Sequence, residues 1–348
     1  MHPPVPHTRT EITPEDEAAV LAALRGRVLV EADRSRALEE RFVAMFGGTG
    51  AVATGSGSQA LAVALKAIGA GPGSEVILPS YVCAQVLAAV EHVGATGIVV
   101  DVAVDWMIDP QAVLAARTDR TKAIIAAQMF GMFRDFSELR DAGVPLIEDC
   151  AQSFPDWRDA ANRLVGDIVV FSFEATKPVA GGEGGMVLVR NPDLMAGVTA
   201  QKRFRDTPYR ANFHPLPALS AALAASQIER YPATLAARER IARRYIEALD
   251  SISPALVSLP VREARAWHRF LVRVTGDPVR LIEAFSGYGI AVRRPVEMPL
   301  HMLCPDTAGS TCPVAERLWA ETLSLPIYPE LTPRDQGRVI DACRTLLA

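Results

Sequence analysis

Residues 167–189 read Asp167-Ile-Val-Val-Phe-Ser-Phe-Glu-Ala-Thr-Lys-Pro-Val-Ala-Gly-Gly-Glu-Gly-Gly-Met-Val-Leu-Val189. Two apolar runs, Asp167–Ser172 and Gly185–Val189, flank a turn that holds a lone lysine, Lys177, and a cluster of glycines. Runs that are apolar at consecutive rather than alternate positions belong to strands covered on both faces. The same kind of run recurs upstream at Ala51–Thr54, Glu75–Pro79, Gly97–Asp101, Lys122–Gln128 and Val144–Glu148. Helix-spaced segments separate them, among them Ser58–Ile68 and a stretch reaching about Val93. This alternation predicts an α/β fold with a central, mostly parallel seven-stranded sheet sandwiched by helices. In such sheets ligands bind at the carboxyl ends of the strands.

After residue 215 the pattern changes. Leu219–Leu249 reads as a long Ala- and Arg-rich helix, followed by shorter strands at Arg269–Val274 and Ile290–Val292 and a last helix at Pro333–Leu347. Leu325-Pro-Ile-Tyr-Pro329 is proline-punctuated and reads as loop or edge. The expected organisation is a large ligand-binding domain over residues 1–240, opened by a loose tail at 1–12, and a small α/β C-terminal domain over 241–348.

Composition narrows the class. The chain has 348 residues, 49% hydrophobic and 22% charged, which is ordinary for a globular enzyme with an ample core. Its formal net charge of −4, without a basic cluster, argues against nucleic acid or an anionic membrane as partner. No apolar run approaches the length needed to span a bilayer. Five cysteines without a CxxC pair point to reduced thiols and a cytoplasmic location, not to a disulfide framework or a zinc site.

Four local features converge on one ligand. Thr54-Gly-Ser-Gly-Ser-Gln59 lies between a strand and a helix, where small residues leave free N–H groups at a positive helix end, suited to a phosphate. It matches neither nucleotide-binding glycine fingerprint. Glu148-Asp-Cys-Ala-Gln152 puts an acid at a strand end. With no ligand-spaced His, Cys or carboxylate around it, a metal is disfavoured, and Asp149 is left as a base, as partner of a protonated heterocycle, or as a helix cap. Ser172 ends the next strand, five residues before Lys177. Apolar neighbours around Lys177 favour its neutral, nucleophilic amine, and the glycines let backbone approach a flat ligand. An anchoring lysine, a strand-end aspartate and a phosphate turn are the parts that a pyridoxal 5'-phosphate site requires.

These stretches also carry a resemblance. Gly55-Ser-Gly-Ser-Gln-Ala-Leu61, Gly71-Pro-Gly-Ser-Glu-Val-Ile-Leu-Pro-Ser-Tyr81, Thr121-Lys-Ala-Ile-Ile125, Ile147-Glu-Asp-Cys-Ala-Gln-Ser153, Phe171-Ser-Phe173, Gly181-Gly-Glu-Gly-Gly185, Pro299-Leu-His301 and Leu323-Ser-Leu-Pro-Ile-Tyr-Pro329 span nearly the whole chain. In them the chain resembles the DegT/StrS-type family, fold type I pyridoxal-phosphate aminotransferases acting mostly on keto-sugars, often nucleotide-linked, in amino-sugar biosynthesis. The resemblance implies that Lys177 carries the Schiff base, Asp149 pairs with the pyridine nitrogen and Gln152 lies near the phenolic oxygen. It implies that Gly57, Ser58 and Ser172 bind the phosphate, and that Asn212 reaches the cofactor of a neighbouring subunit in a homodimer with shared sites. His301 falls where the family has a substrate-side histidine, with a structural histidine as the alternative. Glutamate or glutamine is the implied amino donor.

The chain also departs from the family. Cys83 stands where an aromatic usually stacks on the ring, so that Cys83, Tyr81 or Phe130 covers it. His214 stands where an arginine meets substrate phosphates, which leaves room for a smaller keto-sugar or a cyclitol. Arg203, Arg205 and Arg210 are alternative sources of that charge. Rival readings are a dehydratase of the same fold, an enzyme aromatising an amino-cyclic ketone, and a cofactor-binding regulator without turnover. The dehydratases carry histidine at the anchor position, so Lys177 points to amine transfer.

Overall fold

The computed structural model describes residues 3–29, 33–158, 164–202, 213–305 and 311–347. Two helices, α1 (Pro14–Arg25) and α2 (Asp33–Phe46), precede strand β1 (Gly50–Thr54). There follow α3 (Gly57–Ile68), β2 (Glu75–Pro79), α4 (Ala84–His92), β3 (Thr96–Val100), α5 (Pro110–Ala116), β4 (Thr121–Ala127), β5 (Leu146–Asp149), β6 (Ile168–Ser172) and β7 (Gly185–Val189). After α6 (Met195–Lys202), the helix α7 (Ala218–Asp250) runs for 33 residues. The C-terminal part holds α8 (Leu259–Arg262), β8 (Phe270–Arg273), α9 (Pro278–Gly287), α10 (Leu300–Leu303), α11 (Pro313–Glu321), β9 (Thr322–Leu325) and α12 (Pro333–Leu346).

The large sheet has the order β1-β7-β6-β5-β4-β2-β3. All neighbours are parallel except β7, which runs antiparallel to both β1 and β6. The expected seven strands are therefore all present, each within two residues of its sequence-derived limits. Because β7 is reversed, its first residue lies on the same sheet edge as the last residues of its neighbours. Thr54, Gly185 and Ser172 pair across that edge in one row. Asp149 ends β5 on the same edge, beside β6.

Strand alternation separates structural from functional side chains on β6. Phe171 and the following Phe173 point into an aromatic cluster with Phe42, at ring distances of 5.0 and 5.8 Å. Phe154 and Tyr231 extend it, 4.9 Å apart and edge to face, a favoured aromatic geometry. Ser172, between the two phenylalanines, faces the opposite side, where α3 begins.

The C-terminal sheet is a single antiparallel pair, β8 with β9. Leu325 closes β9, and the prolines that follow end it, as their missing N–H requires. The strand expected at Ile290–Val292 is not continuous: Ile290 bridges Val5 and Arg293 bridges Ser324, so the segment changes partner after each contact. Residue 240, where the second domain was placed from sequence, lies inside α7, which packs on α1 and α2 as well as on α12.

The tail expected to be loose at residues 1–12 is instead held down from residue 3 where it is described. Val5 is 1% exposed and exchanges backbone bonds with Gly289 and Ala291. His7 is buried with Nε2 3.0 Å from Ser324 Oγ, and Thr10 donates to the carbonyl of Ala175. The Val5 and His7 side chains both find buried niches, while Ile12 stays exposed.

The loop after β4 docks the two parts together. The Gly131 carbonyl accepts from the amides of Arg265 and Ala266, both at 2.9 Å. Gly131 has φ +91°, and a Cβ there would stand 2.5 Å from the Trp267 nitrogen and 2.7 Å from that of His268. Gly131→Ala should therefore lower unfolding stability by about 1–3 kcal/mol, read as an earlier urea midpoint. An unchanged midpoint would mean that the junction yields without cost.

Candidate active site

The phosphate turn forms because polar groups close it locally. Ser56 caps α3, its Oγ accepting from the Gln59 amide at 3.2 Å, while Gln59 Oε1 accepts from the Gly55 amide at 3.0 Å. Gly55 N–H also donates to the His214 carbonyl at 2.7 Å. A Cβ on Gly57 would lie 2.8 Å from Ser172 Cβ, and one on Gly185 would lie 2.5 Å from the Ser56 carbonyl oxygen. Gly57 and Ser172, two of the three expected phosphate residues, are thus in direct contact. Ser58 follows on the first turn of α3, with Oγ 3.4 Å from Gln85 Oε1.

Lys177 lies in the turn between β6 and β7, its amide donating to the Glu174 carbonyl at 2.9 Å. Phe173 and Gly181 close the base of this turn, with bonds to Gly184 and from Gly181 to Phe173 at 2.8 and 2.7 Å. The Lys177 side chain is half-buried. Its charge acts on Asp149 and on His268.

Asp149 is 5% exposed, and its Oδ1 accepts from the Ala151 amide at 2.8 Å. No helix follows it, so the capping alternative gives way to a two-residue turn. Burial pushes its carboxyl above the ordinary range, and the Ala151 amide and Lys177 charge pull partly the other way. Gln152 Oε1 and the Tyr81 hydroxyl are buried with no hydrogen-bond partner among the described residues. Such orphaned groups are costly unless something else satisfies them.

The other expected residues divide. Tyr81 is fully buried and meets Phe130 edge to face at 6.4 Å; burial raises its hydroxyl far above its usual range. Cys83 is exposed, at the N-cap of α4, and makes no capping bond. His214 is exposed and lines a cavity of about 490 Å³ with Ser58, Gln59 and Gln85. His301 has both ring nitrogens engaged, Nδ1 with Ser80 Oγ at 2.6 Å and Nε2 with Glu316 Oε1 at 3.2 Å, which matches the structural alternative. Asn212, Arg203, Arg205 and Arg210 lie outside the described residues.

Two residues near Lys177 escaped the sequence reading. His268 is 2% exposed with Nδ1 unpartnered, and it is kept neutral by burial and then by the charges of Arg269, Lys177 and Arg238. Arg269 donates to Thr8 Oγ1 at 2.7 Å and lies 3.2 Å from His7 Nδ1. Both come directly before β8, some ninety residues after Lys177, where the only signal is the His-Arg pair inside Trp267-His-Arg-Phe270. Among the described residues, no group of three or more His, Cys, Asp or Glu is placed to hold a metal ion, and no helix is long and apolar enough to cross a membrane.

Comparison with known proteins gives this geometry a family. The DegT/DnrJ/EryC1/StrS aminotransferase family profile matches residues 10–344. The chain is similar to dTDP-3-amino-3,4,6-trideoxy-alpha-D-glucose transaminase from Micromonospora megalomicea subsp. nigra, 33% identical over 320 residues and 85% of each chain. It is also similar to S. venezuelae DesV, solved in complex with a ketimine intermediate, at 29% identity and TM-score 0.87 over 99% of this chain and 98% of that one. DesI, solved in the presence of its TDP-sugar product, is 27% identical with TM-score 0.87 over 99% and 93%. With a match running over almost its full length, the chain belongs to the DegT/DnrJ/EryC1/StrS aminotransferase family.

Proposed function

We propose that this aminotransferase moves an amino group from glutamate or glutamine to the ketone of a dTDP-linked deoxysugar, using pyridoxal phosphate bound by Lys177, Asp149 and the 55–58 turn. One observation carries the reading: the phosphate turn, Asp149, and Ser172 with the Lys177 turn that follows it share one sheet edge, although they come from three separate segments. The similarity to a dTDP-sugar transaminase and to a structure holding a TDP-sugar product supports the acceptor. A homodimer with shared sites remains part of the reading, on the strength of the family resemblance at Asn212.

The residues fit the cofactor. Gly57 leaves open the place beside Ser172 that any side chain would fill, at the positive end of α3, as a phosphate requires. Asp149 is a buried carboxylate without an ion-pair partner at bonding distance among the described residues, suited to a protonated ring nitrogen. Gln152 Oε1 and the Tyr81 hydroxyl are free to bond a ligand. When bound, the cofactor supplies the electron sink for charge left on carbon.

The chain's own groups do the rest. Lys177 Nζ would hold the cofactor covalently at rest. The same Nζ would serve as the general base towards the proton on the donor Cα. Asp149 keeps the ring nitrogen protonated from a site that excludes water, where its charge acts most strongly. Ser172 and the amides of Gly57 and Ser58 hold the phosphate and so fix the ring against Lys177.

Lys177→Ala should remove the visible absorption of the lysine-linked cofactor and reduce turnover by at least about 10³-fold. A yellow, active variant would sink the assignment. A second expectation concerns cofactor-free protein. The raised carboxyl of Asp149 means that its ionised form is disfavoured in the fold. Below the unfolded value of 3.8 both states are protonated and nothing is lost; stability falls as pH rises from there through the raised folded value. Asp149→Asn should then melt higher than the parent at neutral pH, with the gap closing towards pH 4. Loading with cofactor should reverse the order, because an amide cannot partner a protonated nitrogen as an anion does. Equal melting points throughout would contradict this placement of Asp149.

A further inference from the structure

On the aminotransferase reading above, we infer that Thr10 is a positioning residue for Lys177, and that through the strap of residues 5–10 the C-terminal sheet sets where the lysine amine stands. The lysine turn holds itself together but does not fix its own place. Within it the Glu174 carbonyl accepts from the Lys177 amide at 2.9 Å. The Glu174 carboxylate accepts from the Thr176 amide at 3.0 Å and from its hydroxyl at 2.6 Å. These bonds make residues 174–177 a small closed unit. Its return limb, Gly181-Gly-Glu-Gly-Gly185, has φ +80° at Gly182 and +140° at Gly184, and a chain so rich in glycine resists tilting poorly.

Among the described residues, one hydrogen bond reaches residues 174–178 from outside the 172–185 stretch: Thr10 Oγ1 donates to the Ala175 carbonyl. Thr10 is itself held on both sides. Two residues before it, Thr8 Oγ1 accepts from Arg269 at 2.7 Å, directly before β8. His7 meets Ser324 of β9 at 3.0 Å, and Val5 exchanges backbone bonds with Gly289 and Ala291. One residue after it, the Glu11 carbonyl accepts from Gln227 Nε2 at 3.0 Å and from Arg230 Nη2 at 2.6 Å, both on α7.

A hydroxyl between such anchors has little freedom, so its bond passes their position on to Ala175, two residues before Lys177. The fit is close. The cavity between strap and turn, lined by Thr8, Thr10 and Lys177, measures about 20 Å³, room for a single water. A lysine that must capture a cofactor and then meet a proton depends on placement, since an error of about 1 Å is enough to slow a reaction markedly.

The test compares the full-length parent with Thr10→Val, which keeps the shape and removes the donor, and with Thr10→Ser, which restores it. Two readouts do not involve turnover. Hydrogen–deuterium exchange at the Thr176 and Lys177 amides should quicken roughly fivefold in Thr10→Val, the effect of losing one neutral hydrogen bond, and return towards the parent in Thr10→Ser. The visible absorption that develops when pyridoxal phosphate is mixed with cofactor-free protein should appear more slowly in Thr10→Val by a similar factor. In the cofactor-loaded enzyme, turnover should fall while the half-saturating concentration of the nucleotide-sugar stays at the parent value, a split that general loss of stability does not produce. Ser324→Ala, which removes the His7 anchor on β9, should shift exchange and capture in the same direction; parental values there would break the link to the C-terminal sheet. A Thr10→Val protein with parental exchange and capture, or a Thr10→Ser protein as impaired as Thr10→Val, would overturn the inference. A parent that develops no visible absorption with pyridoxal phosphate would instead overturn the aminotransferase reading itself.

Discussion

Everything at the site depends on how closely two stretches of backbone approach one another at the head of the large sheet. Gly185 opens β7 against the Ser56 carbonyl and the Gly57 nitrogen, and Gly57 rests on Ser172. A methyl group at either glycine would collide with these neighbours. This contact draws the start of α3, with its positive dipole end, over the edge formed by β1, β7 and β6, and so brings separated segments onto one surface. The reversed direction of β7 makes it achievable, because the lysine turn then begins and ends on the same edge.

The alternation along β6 protects that surface from behind. Phe171 and Phe173 are locked into aromatic packing with Phe42, so Ser172 has little freedom to tilt. The same logic holds at β5, where Glu148 and Asp149 point to opposite faces. Glu148 is fully satisfied by Gln128 and by the amides of Val165 and Gly166, a structural role. Asp149 has one short-range amide bond and remains available. Neighbouring acids thus divide the work according to strand parity.

The large sheet was legible in the sequence because its strands are covered on both faces and carry consecutive apolar residues. Lys177, Asp149, Ser172 and Gly57 were legible for a related reason, since each lies directly at a strand end with a small or polar neighbour. What escaped was produced by chain segments far apart in sequence. The roles of His7, His268 and Arg269 come from burial against one another, and no local pattern encodes that. The segment 290–293 misled because apolar residues there serve two different partners in succession. His301 carried a family expectation, while its two hydrogen bonds, to Ser80 and Glu316, are both long-range.

The strap formed by residues 5–10 carries a consequence for the order in which the protein is made. His7 bonds Ser324 across 317 positions, and Val5 waits for Ile290. A ribosome releases the strap long before Ile290 and Ser324, so until those partners emerge the bonds of Val5 and His7 are unmade. Loop closure over such distances is slow relative to local contacts. The rim of the candidate site is therefore a late event of folding, and a nascent chain with its large sheet already formed still lacks it.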